Sequence, residues 1–344
     1  MHALSLALLA AFLFGAATPA SKALLATLEP FQLAGLLYLG AGLGMAPLVR
    51  REGRNGPGLA LLGSNRWRLA GAVLFGGVLG PVLLLAGLQW SLAGSVSLLL
   101  NLEGVATAVL GVLFFREHLG AIGWCGVAGV LAASVLVVGG GDWPGMVGAL
   151  FTAGACLCWA IDNHLTALID GISAERSTLV KGLVASGVNL ALGFATSPWT
   201  APLEVVAATL AVGALSYGAS IALYIRSAQA LGATRAQAVF ATAPFVGAGL
   251  SFVFLHEPLG IAHALSAFLL IPSIAALFWS RHVHLHAHPP LEHIHSHRHD
   301  DGHHLHRHDD TRADLRHSHP HRHYDLIHAH PHWPDVHHRH GHAD

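Results

Sequence analysis

Residues 69–88 read LAGAVLFGGVLGPVLLLAGL, twenty residues without a charged side chain. An α-helix needs about 20 apolar residues to cross the hydrocarbon core of a bilayer. Three other stretches of similar length also lack charge, namely Leu119–Gly141, Val205–Ile225 and Ala236–Leu255. These stretches predict an all-α polytopic membrane protein, with the lipid bilayer as its principal partner.

Six more stretches are apolar with one or two polar intrusions. They are Ala3–Ala26, Phe31–Val49, Leu92–Phe115, Met146–Leu168, Ser177–Thr196 and Leu259–Ser280. We therefore expect ten transmembrane helices with short connections. The composition agrees, because only 11% of residues are charged, whereas a soluble domain carries about 25%. A cleaved signal peptide is the alternative for the first stretch, although no Lys or Arg precedes its apolar run.

The basic residues alternate between connections. Every even-numbered connection carries Arg, and the odd-numbered ones carry neither Lys nor Arg: Arg50, Arg51, Arg54, Arg66 and Arg68 lie in the second, Arg116 in the fourth, Arg176 in the sixth and Arg235 in the eighth. Because cytoplasmic loops are enriched in Lys and Arg, we expect both termini in the cytoplasm. The expected location is a cytoplasmic membrane of the bacterial inner-membrane type.

An internal repeat relates the two halves of the apolar region. Residues 89–120 align without gaps with 229–260, and both segments end in Phe-x-x-Glu-x-Leu-Gly. Phe14-Gly15 and Trp159-Ala160 form a further aromatic–small pair at a slightly larger shift. We predict one five-helix repeat in residues 1–140 and a second in 145–280. An odd number of helices per repeat requires the second copy to be inverted.

These features resemble the EamA-type drug/metabolite transporter superfamily. The likeness includes the endings Phe114–Gly120 and Phe254–Gly260 and covers residues 1 to about 280, but not the tail. It implies secondary transport of a small-molecule metabolite by alternating access, with the substrate left open. One departure is that the second half has Pro244 midway along its fourth helix, where the first half has Glu103-Gly104. We expect the helical ladder to break near mid-membrane at Gly104 and at Pro244.

Glu103 lies near the middle of its predicted span. A carboxylate at the bilayer centre costs about 2.5–3.5 kcal/mol on insertion scales, which suggests a role beyond packing. We expect proton-coupled transport through Glu103; the alternative is a protonated carboxyl that only joins helices. We expect the pathway to follow small and polar residues along the fourth predicted helix and along the matching ninth. The other candidates are Ser97, Asn101 and Thr107 on the fourth helix and Gln237 and Pro244 on the ninth.

Other polar residues also enter predicted spans. Asp162 and Asn163 lie in the sixth, and Lys22 and Lys181 are the only two lysines of the chain. Pairing a lysine with Glu103 or Asp162 would lower the burial cost of both partners, but one sequence does not say which pairs form. Helix capping by Asp162 and snorkelling of the lysines to the headgroups are the alternatives.

Residues 281–344 hold 23 of the 28 histidines. Few contiguous apolar residues occur there, so we expect a disordered cytoplasmic tail. Imidazole suits zinc, nickel, cobalt and copper, so exchangeable divalent metal ions are expected in the tail; no tightly bound cofactor is. A pH sensor is the rival interpretation, because imidazoles titrate at about pH 6.5. The candidate ligands are His282, His284, His286, His288, His293, His295, His297, His299, His317, His319, His321, His323, His328, His330, His332, His338, His340 and His342.

Three hypotheses follow. The first is a metabolite carrier with a metal-buffering or regulatory tail, the second a divalent-metal carrier whose tail collects or senses cargo, and the third a membrane-anchored metal store or sensor. No catalytic constellation stands out, so an enzyme is not expected. Basic residues are dispersed rather than clustered, which argues against a nucleic-acid partner.

Deleting residues 281–344 separates these hypotheses. A metabolite carrier should keep its flux in sealed vesicles, because the tail lies outside its membrane-spanning repeats. A storage protein should instead lose its metal uptake, which would be its only activity. Loss of solute flux in a correctly inserted truncation would contradict the first hypothesis.

Overall fold

The computed structural model describes most of the apolar body and four short segments of the tail. The body ranges are 3–52, 64–115, 119–139, 143–169, 173–231, 239–258 and 260–279. The tail ranges are 285–288, 292–297, 317–322 and 326–329. All regular secondary structure within the described body is helical.

In the first half, the described helices run from the amino terminus to the end of the fifth predicted span. They are α1 (Ala3–Gly15), α2 (Ala17–Leu24), α3 (Pro30–Glu52), α4 (Ser64–Ala72), the π-helical segment π1 (Val73–Leu79), α5 (Gly80–Trp90), α6 (Ala93–Leu99), α7 (Leu102–Phe115) and α8 (Ala121–Gly139).

The second half has a similar element order. Its described helices are α9 (Trp143–Ala167), α10 (Ala174–Thr196), α11 (Leu203–Val212), the π-helical segment π2 (Gly213–Ala219), α12 (Ser220–Leu231), α13 (Ala243–Leu255) and α14 (Ile261–Trp279).

Eight helical runs among the described residues are long and apolar enough to cross a membrane. They coincide with the first eight predicted stretches. Two shorter apolar helices, Ala243–Leu255 and Ile261–Leu277, lie within the predicted ninth and tenth stretches. Part of the ninth stretch, residues 236–238, lies outside the described residues.

The two π-helical segments occupy matching positions in the repeat. π1 covers Val73–Leu79 and π2 covers Gly213–Ala219, which is the same shift of 140 residues that aligns the sequence segments. A π-turn bonds residue i to i+5 and is found mostly as a local bulge, frequently at functional sites. Each segment is continued by an α-helix on both sides, so neither helical run ends there.

The fourth span is broken near its middle. α6 ends at Leu99 and α7 begins at Leu102, with a turn between them. We expected a break at Gly104, but Gly104 is helical and the break lies just before it. Asn101 explains the difference, because its Nδ2 donates to the Leu98 carbonyl at 2.9 Å and so satisfies a group at the end of α6.

A matching turn precedes α13 in the second half. Ala241 and Thr242 form this turn, and Pro244 follows in the first turn of the helix. Proline is tolerated at this position because the first N–H groups of a helix have no intrahelical partner. The expected break at Pro244 therefore coincides with a helix start.

Contacts between the halves hold the described body together. α3 packs against α10 and π2, while α10 also packs against π1. α9 packs against α5 and α7, and α1 packs against α12 and α13. α8 packs along α14. The buried core includes Leu33, Leu37, Leu85 and Leu88, which places it around the third span and its neighbours.

The described residues of the tail form four strands, in two antiparallel ladders. β1 (Leu285–His288) pairs with β4 (Leu326–Ala329), and β2 (Glu292–His297) pairs with β3 (His317–Arg322). Alternation of histidine with other residues has the period of two that a strand requires. Disorder of the tail as a whole stays a prediction.

Candidate functional site

An ion pair joins α9 to α10 inside the membrane-spanning body. Lys181 Nζ lies 2.6 Å from both carboxylate oxygens of Asp162, and both side chains are largely buried. Thr166, one turn further along α9, donates from Oγ1 to Asp162 Oδ1 at 3.0 Å. A lysine does pair with one of the two candidate carboxylates, and the partners are Asp162 and Lys181.

The π1 segment lies against this ion pair. A Cβ atom at Gly76 would collide with the carboxylate of Asp162, so only glycine allows so close an approach here. The Gly76 carbonyl accepts hydrogen bonds from the Tyr38 hydroxyl and from Trp159 Nε1, the latter at 3.2 Å. Two aromatic side chains thus donate to a backbone carbonyl within the π-helical segment.

The next carbonyl in π1 also has a side-chain partner. Asn189 Nδ2 on α10 donates to the Gly77 carbonyl at 2.9 Å, and Asn189 is fully buried. Its Oδ1 atom has no hydrogen-bond partner among the described residues. Helices α3, α9 and α10 therefore each contribute a donor to the carbonyls of π1.

Glu103 forms a second polar group with α9. Asn163 Nδ2 donates to Glu103 Oε1 at 2.9 Å and to Thr107 Oγ1 at 3.4 Å. His164 Nε2 lies 3.0 Å from the Thr107 carbonyl, to which it donates because a carbonyl only accepts. Glu103 is in the first turn of α7, where the helix dipole favours negative charge.

The side chain of Lys22, on α2, contacts the turn between α5 and α6. Its Nζ donates to the carbonyls of Leu88 and Ser91, the latter at 2.9 Å. Lys22 thus interacts with the carbonyl end of α5, where a cation is favoured by the helix dipole. We expected a pathway residue or a snorkelling side chain; in the described structure its hydrogen bonds are to these carbonyls.

Glu257 binds the other side of the same turn. Its two carboxylate oxygens accept from the backbone N–H groups of Ala93 and Gly94, both at 2.8 Å. These are the first N–H groups of α6, which have no partner within the helix. His263 Nε2 lies 2.8 Å from Ser95 Oγ in the same turn of α6. We refer to Lys22, Glu257, His263 and their partners as the turn clamp.

The remaining candidates lie apart from both polar groups. Ser97 is fully buried, and its Oγ has no partner among the described residues. A Cβ at Gly247 of α13 would approach Ser97 Oγ to 2.6 Å, so Ser97 lies where α6 and α13 pack closely. Asn101 and Pro244 shape the helix breaks. Gln237 is outside the described residues.

In the described part of the membrane-spanning body, no group of three or more His, Cys, Asp or Glu that could hold a metal ion is found. Of the candidate tail ligands, His286, His288, His293, His295, His297, His317, His319, His321 and His328 lie in described strands. The others, His282, His284, His299, His323, His330, His332, His338, His340 and His342, lie outside the described residues.

Sequence reasoning missed Tyr38, Gly76 and Asn189. Signals for them existed, because Gly76-Gly77 interrupts an otherwise bulky apolar span and Asn189 is an uncharged polar residue inside another. Neither signal predicts which carbonyl accepts a hydrogen bond from Tyr38 or Asn189, since that depends on the backbone of π1 and on how α3 and α10 pack against it.

Comparisons with known proteins agree with the membrane architecture. A model of the EamA-like transporter family matches residues 1–139 and again 146–279. The chain is 27% identical over 293 residues to an uncharacterized transporter from Methanothermobacter thermautotrophicus, covering 79% of this chain and 84% of that protein. A protein of known crystal structure, 16% identical, superposes with a TM-score of 0.59 over 80% of this chain and 97% of its own, which supports the fold.

Removing one member of the ion pair should cost more than removing both. Lys181→Met leaves the Asp162 carboxylate without its cation and should lower the free energy of unfolding by about 3 kcal/mol. Adding Asp162→Asn should recover much of that loss, because Thr166 can still donate to the amide oxygen. Thermal unfolding in detergent, followed by tryptophan fluorescence, checks this. A double variant no more stable than Lys181→Met would contradict it.

Proposed function

Because this chain belongs to the EamA-like transporter family, we propose that it moves a small metabolite across the cytoplasmic membrane by alternating access, with proton movement coupled through Glu103. The observation that carries this proposal is the position of Glu103. It lies in the first turn of a helix that begins within a membrane span, and a side chain from the other half contacts it.

Two inverted five-helix repeats are the scaffold of the proposed mechanism. Support comes from the family model, which matches each half separately, and from the π-helical segments at the repeat shift. Equivalent helices of the two halves also pack in equivalent ways. α3 packs against π2 and α10 packs against π1; likewise, α1 packs against α12 and α9 packs against α5. A two-fold relation between residues 1–140 and 145–280, with ten spans in all, accounts for these pairs.

The broken fourth span supplies the polar surface that a transported molecule needs. In lipid, backbone groups outside a helical ladder must be satisfied by protein, water or substrate. The carbonyls of Leu99 and Leu100 lie 3.8 and 3.9 Å from the Cys156 thiol on α9, a weak donor. The substrate pathway is therefore assigned to the space between α7 and α9, beside Glu103 and Asn163.

Glu103 has few charged neighbours. Asp162, His164 and Lys181 lie on α9 and α10; Lys181 is paired with Asp162, and the described hydrogen bond to Glu103 is from the neutral Asn163 amide. A proton can therefore bind and leave Glu103 without breaking an ion pair. The Asp162–Lys181 pair is assigned a supporting role that fixes α9 against α10.

The turn clamp is assigned to the non-cytoplasmic end of the body. With the basic connections in the cytoplasm, the turns at residues 91–92 and 256–260 both face the opposite side. Glu257 follows α13 and bonds α6 of the first half, so the clamp holds the halves together at one end. Alternating access requires such contacts to release during part of the cycle.

Divalent-metal transport is the alternative supported by the histidine-rich tail. On this alternative, the tail collects or senses cargo rather than buffering metal or regulating a metabolite carrier. A screen in sealed vesicles, with and without a pH gradient, decides between them when amino-acid-like solutes and divalent metals are tested side by side. A chain that moves neither class would favour the non-transporting metal store.

Glu103→Gln should abolish the pH-driven uptake of the solute that this screen identifies, because an amide, unlike a carboxyl, does not take up and release a proton as the pH changes. Folding should be kept, since the amide oxygen can still accept from Asn163. Glu204→Gln is the matched control, because Glu204 is an exposed carboxylate in the first turn of α11. Normal pH-driven uptake by Glu103→Gln would exclude this coupling role.

Glu257→Ala should loosen the turn clamp and expose the α6–α13 interface. A cysteine introduced by Ser97→Cys, with the three native cysteines replaced, should react several-fold faster with an impermeant maleimide when Glu257→Ala is added. Ser186→Cys is the control, because Ser186 is equally buried but lies on α10. Equal labelling of Ser97→Cys with and without Glu257→Ala would contradict a gating role for the clamp.

A further inference from the structure

The two tail ladders share a single register. Leu285 is opposite Ala329 at the outer end, and His297 is opposite His317 at the inner end. From the first pair to the second, each strand advances by the same twelve residues. The two ladders β1–β4 and β2–β3 are therefore in register with each other; residues 289–291 and 323–325 lie outside the described residues.

The inner ladder aligns histidines with histidines. His293 is opposite His321, His295 is opposite His319, and His297 is opposite His317. Residues two apart in a strand share a face, so all six positions belong to one face of the β2–β3 ribbon. Directly opposite residues in an antiparallel pair have Cβ atoms about 4.5–5.5 Å apart.

The positions on the second face are also chemically matched. Glu292 is opposite Arg322, and Ser296 is opposite Ser318. Opposite charges and paired hydroxyls are favourable cross-strand neighbours. Ile294 is opposite Pro320, and proline is confined to strands with a free edge, which both strands of a two-stranded ribbon have. A slip by one residue would place each of these histidines opposite a non-histidine.

We propose that the six-histidine face of β2–β3 is a binding site for a divalent transition metal of the zinc type. Two adjacent cross-strand pairs, such as His293/His321 and His295/His319, place four histidines at neighbouring positions of this face. Four nitrogen ligands suit tetrahedral Zn²⁺. The inference rests on the proposed metal binding of the tail but is independent of what the membrane body transports.

Unlike a set of independent imidazoles, this site depends on the pairing register of β2 and β3. The outer ladder provides the contrast, because β1–β4 contains one histidine pair, His286/His328, while its other positions include Leu285/Ala329 and Ala287/Ile327. A single pair offers two ligands, fewer than a closed tetrahedral site needs. The tight site is therefore assigned to β2–β3, and the other histidines bind metal more weakly.

Exchanging neighbouring residues tests the register without changing composition. The variant with Ser318→His and His319→Ser keeps all 28 histidines but moves one imidazole to the opposite face. We expect the tightest Zn²⁺ affinity of the full-length protein in detergent to fall at least about tenfold, measured against a competing chelator. The matched control exchanges His286 and Ala287 through His286→Ala and Ala287→His, and it should leave that affinity unchanged.

Equal affinities in the native chain and the Ser318/His319 exchange would overturn the proposal, and so would equal losses in both exchanges. Co²⁺ absorption provides a second measurement, because a tetrahedral site gives intense visible bands that the Ser318/His319 exchange should weaken. Solute flux in the same vesicles is scored separately. A chain that binds Zn²⁺ in this register but moves no solute keeps the ribbon site and refutes the proposed transport function.

Discussion

The structure depends on satisfying backbone carbonyls where water is absent. Within a bilayer, a polar group without a partner costs several kcal/mol, so a carbonyl of a π-helical segment that lacks an intrahelical partner needs a donor from a neighbouring helix. Tyr38 and Trp159 donate to Gly76, and Asn189 donates to Gly77. Three helices are thereby fixed around π1, and the close approach allowed by Gly76 brings Asp162 against it, within reach of Lys181.

The two halves share a backbone plan but differ in their chemistry. At sequence-matched positions, one half has Glu103-Gly104 after its helix break and the other has Ala243-Pro244. Both arrangements begin a helix within a span, yet only the first places a carboxylate there. Proline suits a helix start because it lacks an N–H group that would have no partner there. Asn101 instead donates to a carbonyl at the end of the preceding helix. Of these two matched helix starts, only the first therefore carries a titratable group, which the proposed proton coupling uses.

The sequence correctly predicted those features that depend on local composition alone. Charge-free stretches of about 20 residues can form spans wherever they pack, so eight helical runs appear where they were expected. Glu103 and Asp162 both have polar partners, as their burial cost demands. The lysines were harder to place. Lys22 and Lys181 both lie near the ends of their predicted spans, but Lys22 binds the carbonyls of the α5–α6 turn while Lys181 binds a carboxylate. Only the packing of the helices distinguishes these outcomes.

The sequence by itself determined that the body is a set of apolar helices in two related halves, because hydropathy and repeat spacing are properties of the chain. It also determined that few ionisable groups enter the body. Tertiary structure alone decided which of them meet: Asp162 with Lys181, Glu103 with Asn163, and Glu257 with the start of α6. These pairs join residues far apart in sequence, and their distances are set by helix breaks, π-turns and glycine contacts rather than by local pattern.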